Sequence, residues 1–202
     1  HYWPAFAHSK AHITLRHILL HQAGLYDVRN VIEHAIEMLN WSKMLAYMET
    51  AVPRHEVGEK TVYQALTFGW LVGGVIEKVT GLSLQAAMNR YLVDALGLDG
   101  AYFGVPDNEL SRVARLYPGI QQPVKSSHDP HEMPLSNRSK KPSLVTLLQR
   151  TLGVFDKRYV LDAVSPKGAN KLDYAGDKLL QACMPSVNGV FTARSLAKMY
   201  SM

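Results

Sequence analysis

Cysteine is nearly absent from this chain: Cys183 is the only one in 202 residues. A single thiol excludes an internal disulfide and any zinc site built on cysteine pairs. Its neighbours Ala182 and Met184 mark it as a buried, inert thiol rather than a nucleophile. Long apolar runs are also missing. No stretch approaches the roughly eighteen residues a membrane-spanning helix needs. No secretory leader is visible, which favours the cytoplasm, while the opening at His1 rather than Met leaves room for a leader upstream. Internal repeats and low-complexity tracts are lacking, and charged residues make up only 19% of the chain. The net charge of +5 has no basic stripe interleaved with aromatics. Arg138, Lys140 and Lys141 carry part of it within a Pro/Ser-rich stretch and read as a solvated loop, so nucleic acid is not an expected partner. What remains is an ordinary globular composition, 47% hydrophobic, in a chain long enough to bury a core.

The stretch that organises the chain runs from Glu56 to Gly81. Gly58 opens it, a β-prone run Thr61-Val62-Tyr63 follows, and apolar residues then recur at helical spacing: Leu66, Trp70, Val72, Val75, Ile76 and Val79. Thr67 is a candidate cap and Gly81 the expected left-handed stop. Tyr63 therefore sits in the turn ahead of a mostly buried helix. Upstream, Pro4 argues against a helix at the start of residues 1–12, where Trp3 and Phe6 would cover a neighbouring surface. In I-T-L-R-H-I-L-L-H-Q-A-G-L, Thr14 is the expected N-cap, Leu15, Ile18 and Leu19 form one apolar face, and Gly24 ends the helix.

His17 and His21, four residues apart, could share a helical face as metal ligands. No H-E-x-x-H carboxylate accompanies them, and they read as structural, so no metal or cofactor is expected. His128 and His131 are separated by Pro130, which breaks any helix that would align them. Residues 30–51 read as one or two amphipathic helices, with Val31, Ile32, Ala35, Ile36 and Leu39, then Met44, Leu45 and Met48, inward; Trp41 and Ser42 mark the join. Ser83 should cap a helix over Leu84–Leu92 with Tyr91 inward, ahead of a short strand near Ala101–Phe103. Residues 118–143 lose all periodicity and read as a long loop or insertion; a helix follows at Leu144–Leu152.

Gly58-(four residues)-Tyr63 followed by a helix ending G-G-V-I-E-K-V-T-G resembles the serine β-lactamase-like hydrolases. These comprise class C β-lactamases, penicillin-binding DD-peptidases and the carboxylesterases of the same fold. The I-T-L-R-H-I-L-L-H-Q-A-G-L helix, the later L-G-L before a short strand, and P-S-V-N-G-V-F-T-A-R-S-L-A at 185–197 match the family in its order. The resemblance implies an α/β (α+β) β-lactamase/transpeptidase-like fold, of which this chain supplies mainly the helical subdomain. It also implies that Tyr63 is the catalytic acid/base. The family's S-x-x-K motif, whose lysine deprotonates the serine nucleophile, has no counterpart ahead of the 13–23 helix, and the K-T-G-like or H-x-G cleft strand has none after Tyr63. Both are expected outside residues 1–202, leaving this piece inactive alone and exposing apolar surface where the sheet should pack. The single S-x-x-K, Ser195-Leu196-Ala197-Lys198, falls on the wrong side of Tyr63, inside a helix the resemblance already explains. Tyr63-Gln64-Ala65 replaces the family's Y-x-N, which favours an esterase or acyltransferase over a β-lactamase. The implied substrate is a small-molecule ester or amide. Two other readings stand beside it: a non-catalytic scaffold member of the family, and a metallohydrolase built on the N-terminal histidines.

Overall fold

Pro4 opens a helix instead of preventing one. In the computed structural model, which describes residues 2–116 and 159–202, α1 spans Pro4–Lys10 with Pro4 in the first turn. Proline there forfeits only an N–H that has no intrahelical partner anyway, and its fixed φ suits the helix. Trp3 and Phe6 are both buried, their rings 5.1 Å apart. The Trp3 indole donates to Glu49 Oε1 at 2.6 Å, and the buried Lys10 ammonium donates to the Glu49 carbonyl at 2.6 Å while lying over the Phe6 ring. Burial lowers the Lys10 pKa, partly countered by the Glu49 charge. Two hydrogen bonds to Glu49 thus pin α1 to α4 (Trp41–Thr50).

Helix α2 is only Leu15–Leu19. Thr14 caps it as expected, taking the His17 N–H at 3.3 Å. The stop comes earlier than Gly24: Leu20 is the C-cap, and His21 adopts φ 56°, a left-handed conformation rare outside glycine. Of the expected apolar face only Ile18 is buried; Leu15 and Leu19 are about half exposed, and Leu20 joins them outside. One turn of helix can aim only one side chain at the core. Gly24 instead admits the 53–55 segment, where an added Cβ would meet the His55 carbonyl oxygen and Pro53 Cβ at 3.1 Å.

Residues 28–50 divide into α3 (Val28–Val31), a 3₁₀ turn at Ala35–Leu39, and α4. The join is Asn40, which caps α4 by accepting the Lys43 N–H, rather than Trp41–Ser42. Ile36 points to solvent, 59% exposed, against expectation. Glu37 ties the 3₁₀ turn to α4: its carboxylate meets Lys43 Nζ and the Tyr47 hydroxyl, both at 2.6 Å, and accepts the His34 N–H. Those bonds, the Lys43 one foremost, lower the Glu37 pKa from 4.5 to about 2. A depressed carboxylate stabilises the fold above its unfolded pKa and loses that contribution as pH falls through the folded one. Stability of the wild-type protein should therefore fall as pH drops from about 4.5 to about 2. The fall should be shallower in Glu37→Gln, read from urea midpoints across that range.

The long helix α5, Thr67–Thr80, is the spine, contacted by α2, α4 and α6 (Leu84–Met88). Thr67 is its first residue rather than its cap; the Thr67 hydroxyl donates to the Leu25 carbonyl at 2.6 Å. Gly81, at φ 70°, ends it in the left-handed conformation that favours glycine. Buried residues include Trp70 and Leu71 together with Gly69, Gly73 and Gly74, whereas Val79 faces out. The principal core gathers around this helix, with Met44, Met48 and Met184 filling it. Ser83 caps α6, but the expected single helix breaks into a π turn at Asn89–Val93 and a last α turn, α7 (Asp94–Leu96). The wider π turn rotates Tyr91 outward, 54% exposed, where an unbroken helix would have carried it inward.

Two short strands, β1 (Ala101–Tyr102) and β2 (Val190–Phe191), pair antiparallel with Ala101 opposite Phe191. They are the only strands among the described residues, so this is the helical portion of the expected α/β fold. A 3₁₀ turn covers Asp107–Arg112; α8 (Val160–Val164) packs on α3; α9 (Asp177–Gln181) and α10 (Ala193–Tyr200) complete the chain. The expected 118–143 loop and 144–152 helix, with His128, His131, Arg138, Lys140 and Lys141, lie outside the described residues.

Candidate functional site

Tyr63 lies in the segment that leads into α5, which pairs with no strand among the described residues despite its β-prone residues. Its neighbours alternate in burial: Val62 is 5% exposed, Tyr63 40% and Gln64 0%. Val62 anchors one side in a small cluster with Tyr26 and Ala163, against which Ala65 also packs. In that cluster burial pushes the Tyr26 phenol up to about 12. Trp70 and the Thr67–Leu25 bond secure the helix that follows. The phenol of Tyr63 is thus carried by a segment buried on both sides of it while remaining accessible itself.

The α2–α3 connection determines how that segment runs. Gly58 N–H donates to the Gln22 carbonyl at 3.0 Å, and Val62 N–H to the His21 carbonyl at 2.9 Å. Gln64 N–H donates to His21 Nδ1 at 3.2 Å. The His21 ring also packs edge-to-face against Tyr63, centroids 5.1 Å apart at 69°, and tilts over Phe68 at 5.0 Å. An Nδ1 that accepts leaves the proton on Nε2, the neutral form; burial lowers the His21 pKa and favours the same form.

His17 and His21 do not share a helical face, because α2 ends between them. His17 Nδ1 takes the Thr14 N–H at 3.3 Å and completes the α2 cap. Each imidazole therefore engages a separate backbone amide. No group of three or more His, Cys, Asp or Glu suited to a metal occurs among the described residues. Sequence reading recognised His21 only as scaffold. Its link to Tyr63 depends on a positive φ and a fold-back across about forty residues, and neither leaves a periodic signal.

Ser195 is buried at 2% exposure, and its hydroxyl donates to the Asp99 carbonyl at 2.8 Å, beside Thr192 Oγ1 at 2.9 Å. Thr192 caps α10 through the Ser195 N–H. The S-x-x-K at 195–198 is a helix start and carries no exposed nucleophile. Asn188 of the P-S-V-N-G run is also structural: its amide reaches the Leu179 and Ala182 carbonyls and accepts the Met184 N–H. Ser186 Oγ accepts the Gly69 N–H at 2.9 Å and holds that turn against the start of α5. Burial raises the Cys183 pKa to about 11, as an inert thiol requires.

Two buried polar groups close to Tyr63 in sequence, the Gln64 side-chain amide and the Trp70 indole N–H, find no hydrogen-bond partner among the described residues. A separate cavity of about 440 Å³ lies between β2 and the Asp107–Arg112 turn, walled by Tyr102, Arg112, Tyr174 and Phe191; Tyr63 does not line it.

The chain is 33% identical over 201 residues to "Esterase/beta-lactamase LipL" of Mycobacterium tuberculosis, covering 98% of this chain and 42% of that protein. It is similar in structure to a family VIII carboxylesterase, with 26% identity and a TM-score of 0.70, covering 98% of this chain and 45% of the other. A penicillin-binding protein homologue from Caulobacter crescentus superimposes with a TM-score of 0.63 at 28% identity, again covering 45% of that chain. The chain thus spans less than half the length of the relatives it matches. The model of the Beta-lactamase family matches residues 1–202 in full, and the chain belongs to that family.

Proposed function

We propose that these residues are part of a serine hydrolase that cleaves small ester substrates through an acyl-serine intermediate, with Tyr63 as the acid/base. The observation that carries this reading is the placement of Tyr63: an accessible phenol on a segment held rigidly at the head of the central helix. A serine supplied by the remainder of the protein attacks the ester carbonyl. Its hydroxyl proton passes to the basic pair formed by Tyr63 and the family's lysine. Collapse of the tetrahedral intermediate breaks the carbonyl–alkoxy bond, and Tyr63 returns the proton to the departing alcohol; water then releases the acid by the same route in reverse. Ala65, packed into the Tyr26 cluster, occupies the position of the family's asparagine, so no amide is available there to engage a lactam side chain. The relatives' own names, an esterase/β-lactamase and a carboxylesterase, point the same way. The outward leucines of α2, Leu15, Leu19 and Leu20, are a surface that the rest of such a domain would cover.

A fluorophosphonate probe tests the assignment. The full-length protein should be labelled at one serine of an S-x-x-K motif outside residues 1–202, and the 202-residue chain should remain unlabelled. Labelling at Ser195 would overturn the choice of nucleophile. No labelling of either form would replace the hydrolase reading with the scaffold one.

A further inference from the structure

We propose that His21 is a positioning residue for Tyr63: a neutral imidazole that, with its own backbone carbonyl, fixes the peptide on both sides of the catalytic phenol and supports its ring. This rests on the reading of Tyr63 given above and extends it to a residue that reading does not use. Three contacts converge on one side chain and its carbonyl. The Val62 N–H enters the His21 carbonyl at 2.9 Å, the Gln64 N–H enters Nδ1 at 3.2 Å, and the imidazole meets the phenol ring with centroids 5.1 Å apart. Val62 and Gln64 are the residues immediately before and after Tyr63, so the peptide has little freedom to rotate and swing the phenol. Phe68, from the first turn of α5, packs on the same imidazole with ring centroids 5.0 Å apart and limits its rotation.

The backbone supports a dedicated role. His21 is the only non-glycine residue with positive φ among those described, at 56°. For most side chains that conformation is disfavoured relative to the right-handed region, because Cβ crowds the following carbonyl oxygen. Glycine would hold it without strain, yet would supply neither the Nδ1 acceptor nor the ring. The side chain therefore accounts for what the backbone alone does not need. The chemistry also specifies the protonation state. Nδ1 can accept only while unprotonated, so the clamp requires the Nε2–H tautomer. Burial disfavours the imidazolium, in the direction the clamp needs. Among the described residues the rings packed on His21 are Tyr63 and Phe68, of which only Tyr63 can ionise, and His17 on its own segment is occupied by the Thr14 N–H.

The test uses the full-length protein with p-nitrophenyl acetate. His21→Gly keeps the left-handed backbone and the carbonyl that takes the Val62 N–H, and deletes the Nδ1 acceptor and the ring. It should lower kcat on the order of tenfold to a hundredfold, the scale of a small misplacement of a catalytic group, with KM changed less than about twofold. His21→Asn tolerates the same φ and offers an Oδ1 acceptor, so it should recover part of the lost kcat. Nitrogen-15 NMR of the wild-type imidazole should show Nδ1 unprotonated, which needs no variant to fold. A kcat for His21→Gly within about twofold of wild type overturns the proposal, as does a wild-type tautomer with the proton on Nδ1. Tyr63→Phe separates the two levels: full activity in that variant removes the Tyr63 reading itself, whereas an inactive Tyr63→Phe beside a fully active His21→Gly removes only the clamp.

Discussion

Tyr63→Phe in the full-length protein is expected to lower kcat for ester hydrolysis by about 10²–10⁴-fold, the usual contribution of a positioned general acid/base. The substitution removes a single oxygen. The phenyl ring can keep the edge-to-face contact with His21, and the backbone hydrogen bonds that clamp the segment are untouched. The phenol is 40% exposed, so its loss leaves no internal cavity. Melting temperature and circular dichroism should therefore match wild type, and KM should move little, since the hydroxyl acts on the proton rather than on substrate binding. Steady-state kinetics with a p-nitrophenyl ester, set beside a melting curve, reads both. A kcat within tenfold of wild type would show that another group moves the proton. A lower kcat accompanied by a lower melting temperature would show that the hydroxyl holds the fold instead.

Gly74→Val is expected to produce the largest loss of stability, about 2–3 kcal/mol, at the upper end of what overpacking a filled core costs. A Cβ added at Gly74 would lie 2.5 Å from Trp3 Cη2 and Cζ3 and 3.0 Å from Leu45 Cδ2. The indole cannot retreat without breaking its 2.6 Å bond to Glu49, which also anchors Lys10 through its carbonyl. The expected fall in melting temperature is roughly 5–10 °C for a protein of this size. A double-mutant cycle isolates the cause: in a Trp3→Ala background, where the obstructing ring is gone, Gly74→Val should cost at least about 1 kcal/mol less. Gly81 provides the contrast. It needs its positive φ, yet nothing lies within 4 Å of an added Cβ, so Gly81→Asn should cost only the strain of a left-handed asparagine, less than Gly74→Val. An equal cost for Gly74→Val in both backgrounds would place the damage in the helix backbone instead of at the Trp3 contact.

The two glycines also show how differently residues of one type can be read from sequence. Gly81 was recognisable as a stop because it follows the last apolar position of a periodic run, a local pattern. Gly73 and Gly74 interrupt that run, and nothing local says why. The structure shows that Trp41 and Trp3, which come earlier in the chain, press their rings against the α5 backbone at these two points. Local signals were sound elsewhere too. Thr14 and Ser83 have side chains that accept the amide three residues on, and short-range hydrogen bonding of this kind is encoded by the residues themselves. Periodicity misled where an element was too short or changed pitch. Leu15 and Leu19 have helical spacing but lie on a single turn, and Tyr91 rides a π turn that rotates it out.

What the sequence by itself determined is the family, the caps at Thr14 and Ser83, the stop at Gly81 and the position of Tyr63 at the head of the central helix. Those depend on neighbours within about four positions, or on motifs strung in a fixed order. Only the tertiary structure decided that His21, not Gly24, turns the chain after α2, that its imidazole meets the peptide beyond Tyr63, and that Ser195 is a buried capping partner instead of a reactive hydroxyl. The physical reason is common to all three. Each depends on a hydrogen bond between residues some forty to ninety-six positions apart, and bonds of that range form only once the core has brought their segments together.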